Sequence, residues 1–199
     1  MRIGFLGGTF NPPHNGHIHL AREWSNRLGL DRFLITPTGT PPHKRQSDVS
    51  GETRLEMCRI AADESDGLLE AFDYEVRRGD QKSYSVITLS ALHALYPGSQ
   101  IFMVMGADMF VTLESWHDFD RLKTLATFCT MPRDGIDARQ LENHRIHLES
   151  VGCRGLIADV PEMNLSSSAI RRRVGEGLSI TGLVPEGVER YIDSHGLYK

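Results

Sequence analysis

Two histidines near the start of the sequence, His14 and His17, lie three residues apart in the stretch GGTFNPPHNGH at residues 7–17. An apolar run at residues 3–6 predicts a buried strand, and the pattern from His17 onward predicts an amphipathic helix that ends at Gly29. Glycine-rich chain leading into a helix N-terminus directs backbone N–H groups and the positive end of the helix dipole at one point. Because each imidazole can add a donor there, the stretch predicts a phosphate-binding site.

The two glycines of this stretch, Gly7 and Gly8, are expected where the backbone turns sharply or approaches a ligand. Residues 9–16 are rich in residues that interrupt regular structure and therefore predict a loop. The stretch matches neither G-x-G-x-x-G nor G-x-x-x-x-G-K-[ST]. A dinucleotide fingerprint and a P-loop are both disfavoured by this mismatch.

A second candidate anion site lies at residues 164–174, NLSSSAIRRRV. Ser166 and Ser167 stand where a helix start is predicted, so they can cap it and supply hydroxyl donors, and Arg171 follows a turn later. Serine caps before basic helices are common without any ligand. Beside the first site, however, the segment predicts a second helix N-terminus that binds an anion.

Three further residues follow predicted strands or belong to loops near them. Lys44 lies in the proline-rich basic segment TGTPPHKR at residues 38–45, which is either a solvated connector or a mobile positive charge near phosphates. Asp108 follows the apolar strand at residues 101–105 and could accept from a ribose hydroxyl, cap the next helix, or do both. For Trp116, core packing and stacking on a heteroaromatic ring are about equally expected.

The alternation of elements predicts an α/β fold, a doubly wound parallel sheet in a single domain spanning residues 1–199. Strands are predicted at residues 3–6, 32–37, 68–76, 101–105, 127–131 and 156–160. Helices are predicted from residue 17 and at residues 53–62, 83–96, 109–113, 122–125, 138–151, 164–174 and 183–192. Ligands of such sheets bind at the carboxyl ends of the strands, so the candidate residues are expected on one rim.

Composition excludes several classes of function. The chain has 199 residues, 40% of them hydrophobic, and a net charge of −4, so it lacks the basic field that non-specific nucleic-acid binding needs. No run of eighteen apolar residues predicts a membrane span, and the first apolar run is too short for a signal peptide. Three separated cysteines, Cys58, Cys129 and Cys153, predict no disulfide framework and a cytoplasmic location.

GGTFNPPHNGH resembles the signature of the nucleotidyltransferase superfamily marked by H-x-G-H, present here as H14-N-G-H17. The whole chain resembles the bacterial nicotinate-nucleotide adenylyltransferases. The similar segments, in family order and over nearly the full length, are GGTFNPPHNGH, TPPHK, SYSVITL, GADMFVTLESW, MPRDG, LSSSAIR and VPEGVERYI. The resemblance implies a Rossmann-like nucleotidyltransferase fold.

The resemblance also implies a reaction in NAD biosynthesis. The phosphate of nicotinate mononucleotide attacks the α-phosphorus of ATP, pyrophosphate leaves, and Mg²⁺ enters with ATP without a metal site built by the protein. The implied catalytic residues are His14, His17, Lys44 and Arg171. The implied ATP contacts are Gly7, Gly8, Thr9, Phe10, His14, His17, Gly106, Asp108, Ser166, Ser167 and Arg171. The implied contacts to nicotinate mononucleotide are Tyr84, Ser85, Thr88, Trp116 and Arg133.

Two positions depart from the family pattern, which usually has Asp where this chain has Asn11 and Ile87. Asparagine keeps the turn-forming hydrogen bonds of aspartate but drops its charge. An apolar residue at position 87 cannot make a polar contact, so the pyridine pocket is less firmly predicted than the ATP site. The choice between nicotinate and nicotinamide mononucleotide stays open.

Three alternatives remain at this stage. The chain could be an adenylyltransferase for nicotinamide mononucleotide or phosphopantetheine. It could be a non-catalytic dinucleotide-binding sensor, which both histidines and Arg171 disfavour. It could be a metal hydrolase using His14 and His17, although no third ligand is evident. The expected partners are ATP and nicotinate mononucleotide, with no nucleic acid or membrane, and a homodimer is one option for the oligomeric state.

Overall fold

A six-stranded parallel sheet forms the centre of the computed structural model, which describes residues 1–40, 49–79, 81–132, 138–158 and 163–199. The strands are β1 (Arg2–Gly8), β2 (Arg32–Pro37), β3 (Glu70–Ala71), β4 (Gln100–Val104), β5 (Thr127–Thr130) and β6 (Gly155–Ile157). Their order in the sheet is β3-β2-β1-β4-β5-β6. The strand order therefore reverses between β1 and β4, which is where doubly wound sheets open a crevice for ligands. The predicted fold class is confirmed.

Helices cover both faces of this sheet. Those in the described residues are α1 (Asn15–Leu28), α2 (Gly51–Asp63), α3 (Tyr74–Arg77), α4 (Ser85–Leu95), α5 (Ala107–Phe110), α6 (Phe119–Leu125), α7 (Ala138–Ser150), α8 (Ser167–Gly175) and α9 (Glu186–Ser194). On one face α1 and α2 pack over side chains such as Phe33 and Val104, and on the other α4, α6 and α7 pack over Phe5 and Met103. Alternate residues of each strand thus enter opposite cores, as parallel strands buried on both faces require.

A third apolar cluster joins the last helices to the rest of the chain. Ile170 of α8 and Val188 and Ile192 of α9 pack with Met57 and Ala61 of α2. The Asn15 side chain donates to the Gly182 carbonyl at 2.8 Å, so the turn before α9 also holds the start of α1. The helix predicted at residues 183–192 is therefore present as α9 and packs on the rest of the domain.

The second strand and the end of the first helix are confirmed as predicted, with Gly29 in the left-handed conformation at a φ of 55°. The prediction of a sharp turn at Gly7 and Gly8 is wrong. Both glycines belong to β1, where they stand opposite Thr36 and Pro37 of β2. The strand therefore carries the backbone farther along the sheet before it turns.

The long strand predicted at residues 68–76 is also wrong. Only Glu70–Ala71 pairs with β2, and Tyr74–Arg77 forms a helical turn. The Arg77 N–H bonds to the Asp73 carbonyl at 2.9 Å, so this backbone forms a helical turn, and neighbouring elements bury both Glu75 and Val76. The strand predicted at residues 156–160 is β6, Gly155–Ile157, and residues 159–160 lie outside the described part of the chain.

The three cysteines are free, as predicted, and all three are buried. Burial raises the pKa of each thiol, that of Cys129 to about 12 and that of Cys153 to about 11, so neither is a reactive thiolate at neutral pH. Among the described residues, none of the helices has the length and apolar character that crossing a bilayer requires.

Candidate active site

The loop after β1, residues 9–14 and called here the phosphate loop, carries the first half of the predicted site. Its backbone turns at Phe10, which has the left-handed φ of 47°. Such a φ costs about 1 kcal/mol or more for a residue with a Cβ, so packing must hold it. The Phe10 ring is buried and meets the His17 ring edge-on, with centroids 4.9 Å apart. The strained turn therefore lies where the predicted phosphate contacts lie.

His14 and His17 lie side by side at the start of α1. Their rings stack with centroids 3.6 Å apart and an interplanar angle of 24°. The backbone N–H of His14 donates to Nδ1 of His17 at 3.1 Å. Because Nδ1 accepts that bond, the neutral His17 ring carries its proton on Nε2 and presents this N–H as a donor. The local geometry thus decides which nitrogen of His17 can meet a phosphate oxygen.

Backbone donors at the start of α1 are fewer than the sequence predicts. The Asn15 N–H is bonded to the Leu183 carbonyl at 2.9 Å. The His17 N–H is bonded to the His14 carbonyl at 2.8 Å. Both N–H groups are therefore bonded within the protein. Binding of an anion at this helix start would rely on the imidazole donors more than on unbonded backbone N–H groups.

The charge state of His17 follows from its surroundings. Burial lowers the pKa of His17 well below its ordinary value, and the neighbouring His14 lowers it further. Desolvation penalises the imidazolium, and a second imidazole in stacking contact penalises two adjacent positive charges. At neutral pH His17 is a neutral hydrogen-bond donor.

The stability of the protein is expected to fall as the pH drops below about 6.5. Unfolded His17 binds a proton there, whereas folded His17, with its lowered pKa, stays neutral until a lower pH. Between those two pKa values protons favour the unfolded state, by at most about 1.4 kcal/mol per pH unit for this one group. Urea unfolding at about pH 7.5 and 5.5 measures the loss, which is expected to be smaller in His17→Gln. Equal losses in the two proteins would contradict the lowered pKa.

Helix α8 brings the second predicted anion site to the phosphate loop. The Ser166 hydroxyl caps α8 by accepting a backbone N–H at 3.2 Å. The Ser167 hydroxyl donates to the Pro12 carbonyl at 2.8 Å. Nη1 of Arg171 donates to the Asn11 carbonyl at 2.9 Å. The two halves of the candidate site, 155 and 160 residues apart in sequence, are therefore joined by direct hydrogen bonds.

Gly106 and Asp108 lie beyond the carboxyl end of β4, the strand next to β1. Gly106 is the N-cap of α5 and Asp108 lies in its first turn, so the prediction that Asp108 caps the helix is wrong. The Asp108 carboxylate instead folds back, and a Cβ at position 106 would meet its Oδ1 at 2.7 Å. Asp108 remains exposed on the same rim as the phosphate loop.

The segment predicted to contact nicotinate mononucleotide lies at the start of α4, which packs on the face of the sheet that holds Phe5 and Met103. Tyr84 is the N-cap residue of α4 and Ser85 opens the helix, and both are half-buried. The Tyr84 ring stacks on His117 with centroids 4.1 Å apart. Trp116, beside it, is half-buried against the core that holds α4. The expectation of core packing for Trp116 is met in part, and its stacking on a heteroaromatic ring stays a prediction.

Thr88 differs from its predicted role at the nicotinate carboxylate. Its side chain is only 1% exposed, and its hydroxyl donates to Oε1 of the buried Glu75 at 2.8 Å. The hydroxyl is therefore used inside the protein, because α4 turns this residue inward toward α3. Burial raises the pKa of the Glu75 carboxyl, and the Thr88 hydrogen bond opposes that shift. The sequence did not single out Glu75.

Ile87, the second departure from the family pattern, is half-buried and packs against the apolar core under α4. Its side chain has the apolar surroundings that an isoleucine requires. An aspartate would lose free energy by desolvation there.

Arg54 on α2 is a functional candidate that the sequence analysis missed. It is 2% exposed, and its guanidinium donates to the carbonyls of Thr9 at 2.7 Å and Thr38 at 2.6 Å. Arg54 therefore joins the start of the phosphate loop to the end of β2. A signal was present, because Arg54 is followed at helical spacing by Cys58 and Ala61, which places a charge on the buried face of α2.

Two predicted site residues, Lys44 and Arg133, lie outside the described residues. In the part of the chain that is described, no group of three histidine, cysteine or acidic side chains is arranged to hold a metal ion. His14 and His17 thus have no third ligand of these types among the described residues.

Comparison with known proteins gives one family and many relatives. The family model described as cytidylyltransferase-like matches residues 5–173. A Bacillus subtilis nicotinate-nucleotide adenylyltransferase is 36% identical over 200 residues, covering 100% of this chain and 98% of that protein. A probable nicotinate-nucleotide adenylyltransferase from Halalkalibacterium halodurans is also 36% identical, covering 100% of this chain and 91% of the relative.

Solved structures agree on the fold. A Plasmodium falciparum nicotinic acid mononucleotide adenylyltransferase, complexed with NaAD, superposes with a TM-score of 0.78. The match covers 99% of this chain and 97% of that one at 17% identity. At this identity the likeness bears on the fold alone.

Proposed function

The chain belongs to the cytidylyltransferase-like family and, within it, to the nicotinate-nucleotide adenylyltransferases, and on this premise we propose that it transfers the adenylyl group of ATP to nicotinate mononucleotide. The products are nicotinate adenine dinucleotide, a precursor of NAD, and pyrophosphate. The observation that supports the proposal is the junction of the phosphate loop with α8. Arg171 bonds to Asn11 in this loop, which leads to the stacked His14 and His17 at the switch point of the sheet.

The reaction needs positioning and charge neutralisation more than a protein nucleophile. A phosphate oxygen of nicotinate mononucleotide forms a bond to the α-phosphorus of ATP. The bond from that phosphorus to the oxygen bridging to the β-phosphate breaks, and pyrophosphate departs with the electron pair. The attacking group is already anionic, so the protein's task is to align it and to stabilise the charge that spreads over the phosphoryl oxygens.

The assigned roles on the ATP side follow the donors that the rim offers. Nε2–H of His17 and the imidazole of His14 donate to phosphate oxygens, and Arg171 supplies the positive charge beside them. Asp108 accepts from a ribose hydroxyl. The remaining assigned ATP contacts are Gly7, Gly8, Thr9, Phe10, Gly106, Ser166 and Ser167. Mg²⁺ arrives as part of the ATP substrate and neutralises the phosphate chain. Lys44 adds a further positive charge.

On the acceptor side, Trp116 stacks on the pyridine ring through its accessible portion. The start of α4 at Tyr84 and Ser85 supplies donors for the nicotinate carboxylate, and its helix dipole favours a negative group there. Arg133 adds a positive charge to this side. The Thr88 side chain has no part in this assignment, because its hydroxyl is bonded to Glu75. We assign the reaction to the cytoplasm, because free thiols such as those of the three cysteines are typical of a reducing compartment.

Pyrophosphate release from ATP and Mg²⁺ tests the proposal, with nicotinate mononucleotide, nicotinamide mononucleotide and phosphopantetheine offered separately. We expect release with the nicotinate compound to exceed release with the other two. A preference for either other acceptor would overturn the substrate assignment and keep the ATP site. Tight nucleotide binding without turnover on any acceptor would favour a sensor. His17→Ala, purified in parallel, controls for contaminating activity.

A further inference from the structure

Tyr198, which follows α9, reaches back to the phosphate loop. Its hydroxyl donates to Oδ1 of Asn11 at 2.6 Å, across 187 residues of sequence. Asn11 itself is buried between Phe10, where the backbone turns, and the residues that lead to His14. A side chain outside the sites described above therefore contacts the centre of the phosphate loop, which ends at His14.

The backbone around Tyr198 is bent to make this contact. After α9 the chain passes through Gly196 with a φ of 60°, and the Leu197 N–H bonds to the Ile192 carbonyl at 3.0 Å. Tyr198 then has a φ of 66°. This conformation is unfavourable for a residue with a Cβ and persists only where surrounding contacts hold it. The ring packs against the cluster that holds α8 and α9, so ring packing and the hydroxyl bond share that task.

Asn11 is held from two sides. Arg171 of α8 binds its carbonyl at 2.9 Å, and Tyr198 binds its side-chain oxygen. One bond contacts the backbone of Asn11 and the other its side chain, and they come from two different segments of the chain. The backbone of Asn11 in turn sets the path from the strained Phe10 to His14.

The Tyr198 hydroxyl is suited to a donor role. Burial raises the pKa of the Tyr198 phenol, so it keeps its proton at every pH at which the protein would act. Nearby Arg171 and Arg54 oppose that shift. The bond to Asn11 is therefore a neutral O–H to amide-oxygen hydrogen bond that does not switch with pH.

We propose that Tyr198 is a positioning residue for adenylyl transfer, which holds Asn11 and through it the phosphate loop in the geometry that aligns ATP. The inference rests on the proposed function. We expect Tyr198 to affect the ATP side of the reaction, because its hydroxyl contacts the phosphate loop. We expect no effect on the acceptor side, because α4, which carries the assigned acceptor contacts, packs in a different apolar cluster from Tyr198.

Tyr198→Phe tests this directly, because phenylalanine keeps the ring and removes only the hydroxyl. We expect kcat/KM for ATP to fall about tenfold, the effect of losing one buried hydrogen bond at a site that must be aligned. KM for nicotinate mononucleotide is expected to stay within about twofold. Tyr191→Phe is the matched control, since Tyr191 lies on α9 and stacks on His195 with centroids 4.0 Å apart, and it should leave both constants unchanged.

A double-mutant cycle separates positioning from general destabilisation. In an Asn11→Ala background, Tyr198→Phe should cause no further loss, because the bond is already absent. Losses that multiply in the double variant, or a KM for nicotinate mononucleotide that rises more than about twofold, would overturn the proposal. If the unsubstituted protein transfers to no acceptor, the proposed function fails. The role of Tyr198 is then tested by calorimetry, which compares the affinity for α,β-methylene ATP of the unsubstituted protein with that of Tyr198→Phe. Unchanged affinity in Tyr198→Phe would refute the positioning role by itself.

Discussion

Replacing His17 by alanine is expected to lower kcat about a hundredfold or more, the effect of removing one preorganised donor to a reacting phosphate. The donor is the Nε2–H, whose position is set because Nδ1 accepts the His14 N–H at 3.1 Å. A neutral imidazole held by stacking and by this bond needs little reorganisation when charge develops on the phosphoryl oxygens. Steady-state kinetics with saturating ATP and nicotinate mononucleotide measure the effect.

The size of the loss distinguishes catalysis from folding. The alanine variant also loses the partner of the His14 N–H, which as a helix cap is worth about 1 kcal/mol of stability. A hundredfold loss of kcat corresponds to about 2.7 kcal/mol in the transition state, and it should appear well below the melting temperature. His19→Ala is the matched control, because residues two apart on α1 face different sides. Near-normal turnover in His17→Ala, or equal losses in both variants, would refute the role.

The fold could be predicted because its determinants are local. The apolar runs of β1, β2, β4 and β5 are bounded by glycine, proline and polar residues, and the helices between them have clear ends such as Gly29. The failures have a non-local cause. The segment at residues 68–76 has apolar and polar residues that fit a strand, yet other helices pack on its later part. Thr88 of α4 bonds to Glu75, and Val76 lies beside Gly51 of α2. Tertiary contacts overrode the pattern there.

The candidate site was predictable only in part. The two anion segments could be recognised because each has its chemistry within a few residues, His14 and His17 in one and the serines with Arg171 in the other. The contacts that hold the segments together could not be recognised from the sequence, because they are made to backbone carbonyls and side-chain amides far away in the chain. Tyr198 contacts Asn11 over 187 residues, and nothing in the composition of either segment indicates the other.

Arg54→Met is expected to lower the free energy of unfolding by about 3 kcal/mol, because the bonds from its charged guanidinium to the Thr9 and Thr38 carbonyls are each worth about 1.5 kcal/mol or more. Methionine fills much of the space of the side chain but leaves both carbonyls without this donor. For a chain of this size the melting temperature should fall by about 10 °C, measured by calorimetry. Since Thr9 opens the phosphate loop, kcat/KM for ATP should also fall at temperatures where the variant is folded.

Two further variants show whether charge or geometry carries the effect. Arg54→Lys keeps the charge but not the fork of donors that reaches two carbonyls, so its stability should lie between those of the unsubstituted protein and Arg54→Met. Arg59→Met on the same helix is the matched control. Arg59 is exposed and pairs with Glu56 at 3.3 Å, an exposed contact that should cost under about 1 kcal/mol. If Arg54→Met were no more damaging than Arg59→Met, the buried guanidinium would be dispensable. If Arg54→Lys were as stable as arginine, charge alone would account for the link between the phosphate loop and β2.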